Sequence, residues 1–143
     1  MKFISHRGNL TGPNPERENE PSYILEAIAQ GFEVEIDLWL VDDKLFLGHD
    51  EPQHEVPDGF LESNIFFIHA KNLEALYHLL ENYSHLHFFW HEEDDFTLTS
   101  KNFIWTFPEK NVTNRSIIVC STRDEVEKYL DSSCCAICTD YIL

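Results

Sequence analysis

Residues 33–40 read Glu33-Val34-Glu35-Ile36-Asp37-Leu38-Trp39-Leu40, with carboxylates and aliphatic side chains alternating before the run turns wholly apolar. Period-two alternation marks a β-strand, whose successive side chains point to opposite faces. Glu35 and Asp37 therefore share one face. Burying two like charges in an apolar strand is costly unless a cation or hydrogen-bond donors neutralise them; the alternative is an edge strand with both groups in water. Downstream, Val41-Asp42-Asp43-Lys44 makes a turn into Leu45-Phe46-Leu47-Gly48-His49, a hairpin extension of the same strand. Upstream, residues 2–6 form a short strand. Pro21-Ser22 then opens a helix with Ile24, Leu25, Ile28 and Ala29 at helical spacing, which Gly31 closes.

The same alternation of element types continues to the end of the chain. Ile65 to Ala70 is a buried-type strand, and Asn72 caps a helix carrying Leu73, Leu76, Leu79 and Leu80. A strand over 86–91 leads into an acidic loop from His91 to Phe96, followed by short runs at 97–99 and 103–107. Ser116 to Cys120 is another strand. Thr122-x-x-Glu125 is a capping-box string before a helix with Val126, Tyr129 and Leu130, and Ala136 to Asp140 is the final strand. Strands alternating with helices imply a mostly parallel sheet with right-handed crossovers. A full (β/α)8 barrel needs about 250 residues. At 143 residues, a single domain over 1–143 with several helices missing is expected.

Twenty-six acidic residues against ten basic ones give a net charge of −16, which disfavours nucleic acid or an anionic membrane as the main partner. A small anionic substrate remains compatible, because a metal ion and a few cationic side chains reverse the field inside a cleft. No signal peptide or membrane-spanning run is legible, so a cytoplasmic protein is expected. The glycosylation-type strings at Asn82, Asn111 and Asn114 then read as chance matches. Cys135 and Cys138 have CxxC spacing but lie in an apolar strand without a second pair. With Cys120 and Cys134 they read as free buried thiols.

Three strings carry the chemistry: His6-Arg7-Gly8, Glu35-Ile36-Asp37 and Gly48-His49-Asp50. Paired carboxylates suit a hard divalent ion such as Mg²⁺, Mn²⁺ or Ca²⁺. His6 and His49 each end a strand and are suited to general acid–base work near neutral pH. Arg7 offers a planar fork for phosphate oxygens. His69 and Lys71 repeat the same-face geometry on a later strand, as a further ligand and a phosphate cation; taken alone, His69 reads as a hydrogen-bonded core histidine. His91 follows an apolar strand at the expected mouth. Trp105 and Phe107 either floor a pocket or pack the core.

With these residues assembled, the chain resembles the glycerophosphodiester phosphodiesterase family of the phospholipase-C-like phosphodiesterase superfamily. The resemblance runs over Ser5-His-Arg-Gly8, Glu18-Asn19, Gly31 to Asp37, Gly48-His-Asp50, His69-Ala-Lys71 and Cys138-Thr-Asp-Tyr141. It implies an α/β fold, a reduced TIM-type (β/α) barrel with the site at the C-terminal strand ends. It also implies Glu35 and Asp37 as metal ligands, His6 and His49 as the acid–base pair, and Arg7 and Lys71 on the phosphate. Asp50 then orients its neighbours. The family's third metal carboxylate is replaced by His69, which shifts the site towards softer ions such as Mn²⁺ or Zn²⁺. The expected activity is metal-dependent hydrolysis or cyclisation of a small phosphodiester. A non-catalytic binding or assembly protein on the same barrel is the alternative. Outer strand surface bared by lost helices makes a homodimer the expected assembly.

Overall fold

The computed structural model describes residues 1–143. The elements, in chain order, begin with β1 (Lys2–His6), α1 (Pro21–Ala29), β2 (Glu33–Val41), β3 (Lys44–Leu47) and β4 (His54–Glu55). A 3-10 turn (Phe60–Glu62), β5 (Phe66–Ala70), α2 (Leu73–Asn82), β6 (His87–Trp90) and β7 (Phe96–Leu98) follow. β8 (Ile104–Thr106), β9 (Ser116–Cys120), α3 (Arg123–Tyr129) and β10 (Ala136–Thr139) complete the chain. No helix is long and apolar enough to cross a membrane.

The alternation in β2 does what its pattern implies. Val34, Ile36 and Leu38 are fully buried on the outer face, packed with Ile24 and Ala27 of α1 and Ala75 and Leu79 of α2. Each such side chain contributes about 1.5–3 kcal/mol by leaving water. α3 covers β9 and β10 in the same way, through Val126 and Tyr129 against Ile118 and Ile137. The inner faces of β1, β5, β6, β8, β9 and β10 meet in one apolar cluster, which includes Ile4, Phe67, Phe89, Trp105, Ile117 and Cys138. Six strands share one interior only if the sheet curls. Its ends come together at Ser100 N, just past β7, which donates to Phe88 O of β6 at 2.8 Å. Thr97 Oγ1 also donates to Trp90 O at 2.7 Å. No ladder joins β6 to β7.

Two expectations are corrected. The sheet is mixed rather than mostly parallel. The pairs β1–β2, β1–β10, β9–β10, β2–β5, β5–β6 and β8–β9 run parallel, but β2–β3, β3–β4 and β7–β8 run antiparallel. The cause is connection length, since a parallel return needs a crossover. Asp42 and Asp43 both adopt positive φ (50° and 63°), which makes a two-residue hairpin turn. Thr99–Phe103 is likewise too short for a crossover. The second correction concerns helical faces. Helical spacing groups Leu25, Leu73 and Leu80 with the apolar positions of their helices, yet they are 53%, 69% and 54% exposed. With only three helices on the sheet, no neighbouring helix covers those flanks. All four cysteines are free, as expected.

Candidate metal and phosphate site

Strand register assembles the site. Across β1 and β2, His6 lies beside Glu35; across β2 and β5, Asp37 lies beside His69. All four project to the inner face near the C-terminal strand ends. Glu35 and Asp37 are 2% and 0% exposed. One ligand atom each from Glu35, Asp37 and His69 lies within 4.8 Å of the others.

The loop after β1 is strained to serve this arrangement. Arg7 has φ 59°, an uncommon conformation for a side-chain-bearing residue. It is held by Arg7 N donating to Glu35 O at 3.0 Å and Asn19 N donating to Arg7 O at 3.1 Å. Gly8 follows at φ 96°, and a Cβ there would stand 2.8 Å from the Tyr23 ring. The Arg7 side chain reaches inward, its Nε 3.1 Å from Asp37 Oδ2, while Nη1 donates to Glu18 Oε1 at 3.3 Å.

Asp37 is clamped on one side and left open on the other. Asn19 Nδ2 donates to its Oδ2 at 2.9 Å, and Asp37 N donates to Asn19 Oδ1 at 3.0 Å. Its Oδ1 is buried without a hydrogen-bond partner, and so is Glu35 Oε2. His69 Nδ1 lies 3.1 Å from Asp37 Oδ1, off the line a hydrogen bond requires. The other ring nitrogen, Nε2, is 2.9 Å from His91 O, and a carbonyl only accepts, so Nε2 carries the proton. With Nε2 committed to His91 O, Nδ1 and Asp37 Oδ1 are left facing one another as two potential metal ligands. A ring N–H given to a backbone carbonyl is also the usual way a metal-binding histidine is oriented.

The two carboxylates are driven apart electrostatically. Burial, and then the Asp37 charge, push the Glu35 carboxyl well above the usual range, with Arg7 and Lys71 opposing. Burial also works to raise Asp37, but the His49 and His69 imidazoles and the Arg7 charge outweigh it and hold Asp37 well below. One carboxylate ready to ionise and one reluctant to do so is the charge state that a cation would resolve.

His6 Nδ1 is 3.0 Å from Asp140 Oδ1, and its Nε2 is 3.6 Å from Glu35 Oε2. Burial opposes ionisation of Asp140, yet the His6 and Asn9 hydrogen bonds and the His6 charge hold it below the usual carboxylate range. Asp140 is therefore the acceptor for His6 Nδ1, which leaves Nε2 turned towards the site. Behind this pair, Asn9 Nδ2 donates to Asp140 Oδ1 at 2.8 Å, and Tyr23 OH donates to Asn9 Oδ1 at 3.0 Å. His49 sits in a loop tied to β2, because Gly48 N donates to Asp37 O and Trp39 Nε1 donates to Gly48 O. Its Nδ1 lies 3.7 Å from Asp37 Oδ2.

A cavity of about 430 Å³ opens over these groups and is lined by His6, Arg7, Glu35, His49, His69, Lys71, His91 and Trp105 among others. Nine of the eleven side chains singled out from sequence, Phe107 included, thus line one cavity, and Asp37 touches three of them. Asp50 does not join the buried site: its side chain is 92% exposed and its one ionic contact is 3.5 Å to His49 Nε2. Asp140, Asn9 and the Asn19 clamp were given no role from sequence. Asp140 carried two usable signals, its place in the Cys138-Thr-Asp-Tyr141 string and its position two residues after Cys138 on the same face of the last strand. Comparison with protein-family models, with curated proteins and with solved structures gives no match for this chain.

Proposed function

We propose that this protein is a metal-dependent phosphodiester hydrolase or cyclising lyase, a reduced relative of the glycerophosphodiester phosphodiesterases on a shortened TIM-type barrel. The observation that carries this reading is the pair of buried, unpartnered oxygens, Glu35 Oε2 and Asp37 Oδ1. Glu35, Asp37 and His69 each bring a ligand atom within 4.8 Å of the others, and Glu35 and His69 line a cavity that Arg7 and Lys71 also line. Unsatisfied buried acceptors are costly, and a divalent ion held by these three residues satisfies them. Two oxygens and one nitrogen suit Mg²⁺, Mn²⁺ or Ca²⁺, with the nitrogen favouring Mn²⁺ or Zn²⁺. When bound, such an ion supplies Lewis acidity and lowers the pKa of an attacking hydroxyl.

The chain's own groups do the rest. Arg7 and Lys71 hold non-bridging oxygens of a small phosphodiester. His6 Nε2 takes the proton from the attacking hydroxyl, either water or a hydroxyl of the substrate itself, as its oxygen bonds to phosphorus. Asp140 keeps the ring oriented and stabilises the imidazolium. The bond from phosphorus to the departing oxygen breaks, and His49 gives that oxygen a proton. Apolar side chains left exposed by the absent helices, among them Tyr77, Leu80, Phe96 and Leu98, support assembly as a homodimer; a stable monomer in sedimentation removes that part.

Hydrolysis of bis(p-nitrophenyl) phosphate with a panel of divalent ions tests the reading. Activity is expected only with metal, falling about 100-fold or more in His6→Ala and His49→Ala. Metal-independent release, unchanged in both variants, overturns it.

A further inference from the structure

The cavity has two chemically opposite halves. From β1, β2, β5 and the loop after β3 come His6, Arg7, Glu35, His49, His69 and Lys71. From the other side, where β8 and β9 end, come Trp105, Phe107, Pro108 and Val119, while the Trp90 side chain packs on the outer core. Trp105 is fixed there by stacking on Phe89, with ring centroids 4.3 Å apart and planes at 22°. Phe107 is 47% exposed, an aromatic side chain held open at the mouth. This half holds no cation: its charged lining residue is Glu92, and His91 Nδ1 is engaged by Asp94. A group extending from a phosphate gripped on the first half meets the exposed Phe107 ring beside the almost wholly buried Trp105, with negative charge nearby.

We infer that the site selects phosphodiesters with one compact, planar, uncharged ester group, such as a single aryl ring, and discriminates against a second anionic substituent. This rests on the phosphodiesterase reading above. An exposed aromatic ring at the mouth favours a flat partner by offset stacking and area burial. At about 430 Å³ in all, the cavity is near the small end of ligand pockets and has room for the phosphate and one ring. Glu92 disfavours a carboxylate or second phosphate on that ring.

Two monoanionic diesters, methyl phenyl phosphate and dimethyl phosphate, isolate the ring. Their affinities are measured by calorimetry on the full chain in Mn²⁺-containing buffer. Methyl phenyl phosphate is expected to bind about 10-fold tighter or more. Phe107→Ala is expected to bring that ratio towards one, whereas Phe107→Tyr keeps it. A methyl 4-carboxyphenyl diester is expected to lose the advantage. Equal affinities, or a ratio unmoved by Phe107→Ala in a variant with the wild-type melting temperature, overturn the inference. Bis(p-nitrophenyl) phosphate hydrolysis run alongside separates the outcomes. Metal-dependent turnover without ring preference defeats the inference alone. Ring preference without turnover defeats the phosphodiesterase reading alone, and absence of both defeats both.

Discussion

Glu35 and Asp37 are two positions apart on one strand, yet their surroundings push them in opposite directions. Glu35 is the expendable charge as far as folding is concerned, because burial and the neighbouring Asp37 both disfavour its ionised form. In the presence of chelator, Glu35→Gln is therefore expected to melt at or above the wild-type temperature. Saturation with Mn²⁺ at about 100 times Kd adds about 2.7 kcal/mol to wild-type stability, and the variant is expected to lose most of that gain. A thermal-shift titration reads both effects; a full metal-dependent rise in the variant removes Glu35 from the ligand set. Asp140→Asn tests the other half of the site. Asparagine offers His6 Nδ1 an oxygen without the charge that steadies an imidazolium, so kcat on bis(p-nitrophenyl) phosphate is expected to fall about 100-fold with KM little changed. An unchanged kcat shows that the Asp140–His6 contact plays no part in proton transfer.

At the scale of elements, one side chain supplies the hydrogen bonds between the start of α2 and β2. Asn72 Oδ1 accepts from Ala75 N at 3.0 Å as the helix cap, and it also accepts from Leu40 N at 3.2 Å. Asn72 Nδ2 donates to Leu40 O at 2.9 Å. The cap contributes about 1 kcal/mol and each strand bond about 1 kcal/mol, so Asn72→Ala is expected to cost about 3 kcal/mol in urea unfolding. A loss near 1 kcal/mol means the clamp on Leu40 adds nothing to the cap. Lys71, whose N donates to Leu38 O at 2.8 Å, sits next to this clamp, so the same variant is expected to weaken phosphate binding. The cap itself was legible in sequence because Asn before a helical apolar run has a local physical reason. β2 and its hairpin were legible for the same kind of reason, a period of two and a turn that tolerates positive φ. The clamp on Leu40 and the meeting of Ser100 with Phe88 were not, since both join segments far apart in the chain. Asp140 was missed for a related cause: a carboxylate at a strand end acquires a role only when the register of β1 on β10 brings it to His6. The residues that matter alone could be read in the string, while those that matter in pairs needed the fold.

Across the whole molecule, acid stability offers a measurement independent of the site. His87 lies at the start of β6, with the interior apolar cluster between it and the site, and is 8% exposed. Burial, helped by the charges of Lys101 and Lys2, pushes it from an ordinary value of 6.5 down to about 4. The folded chain therefore refuses a proton that the unfolded chain accepts. The stability tied to this refusal is fully present above pH 6.5 and is lost as pH falls towards 4. Asp140, held below its ordinary value, pulls the same way at lower pH, whereas Glu35, held above its own, favours the folded state at low pH and loses that contribution as pH rises. From pH 7 to pH 4.5 the His87 contribution is about 2–3 kcal/mol. His87→Gln keeps a side-chain partner for Thr99 Oγ1, which lies 2.7 Å from His87 Nε2 in the native protein, but does not titrate. The unfolding free energy of this variant is accordingly expected to fall by about 2 kcal/mol less than wild type over that interval, in metal-free buffer at fixed ionic strength. Parallel losses in the two proteins show that His87 contributes nothing to the acid sensitivity.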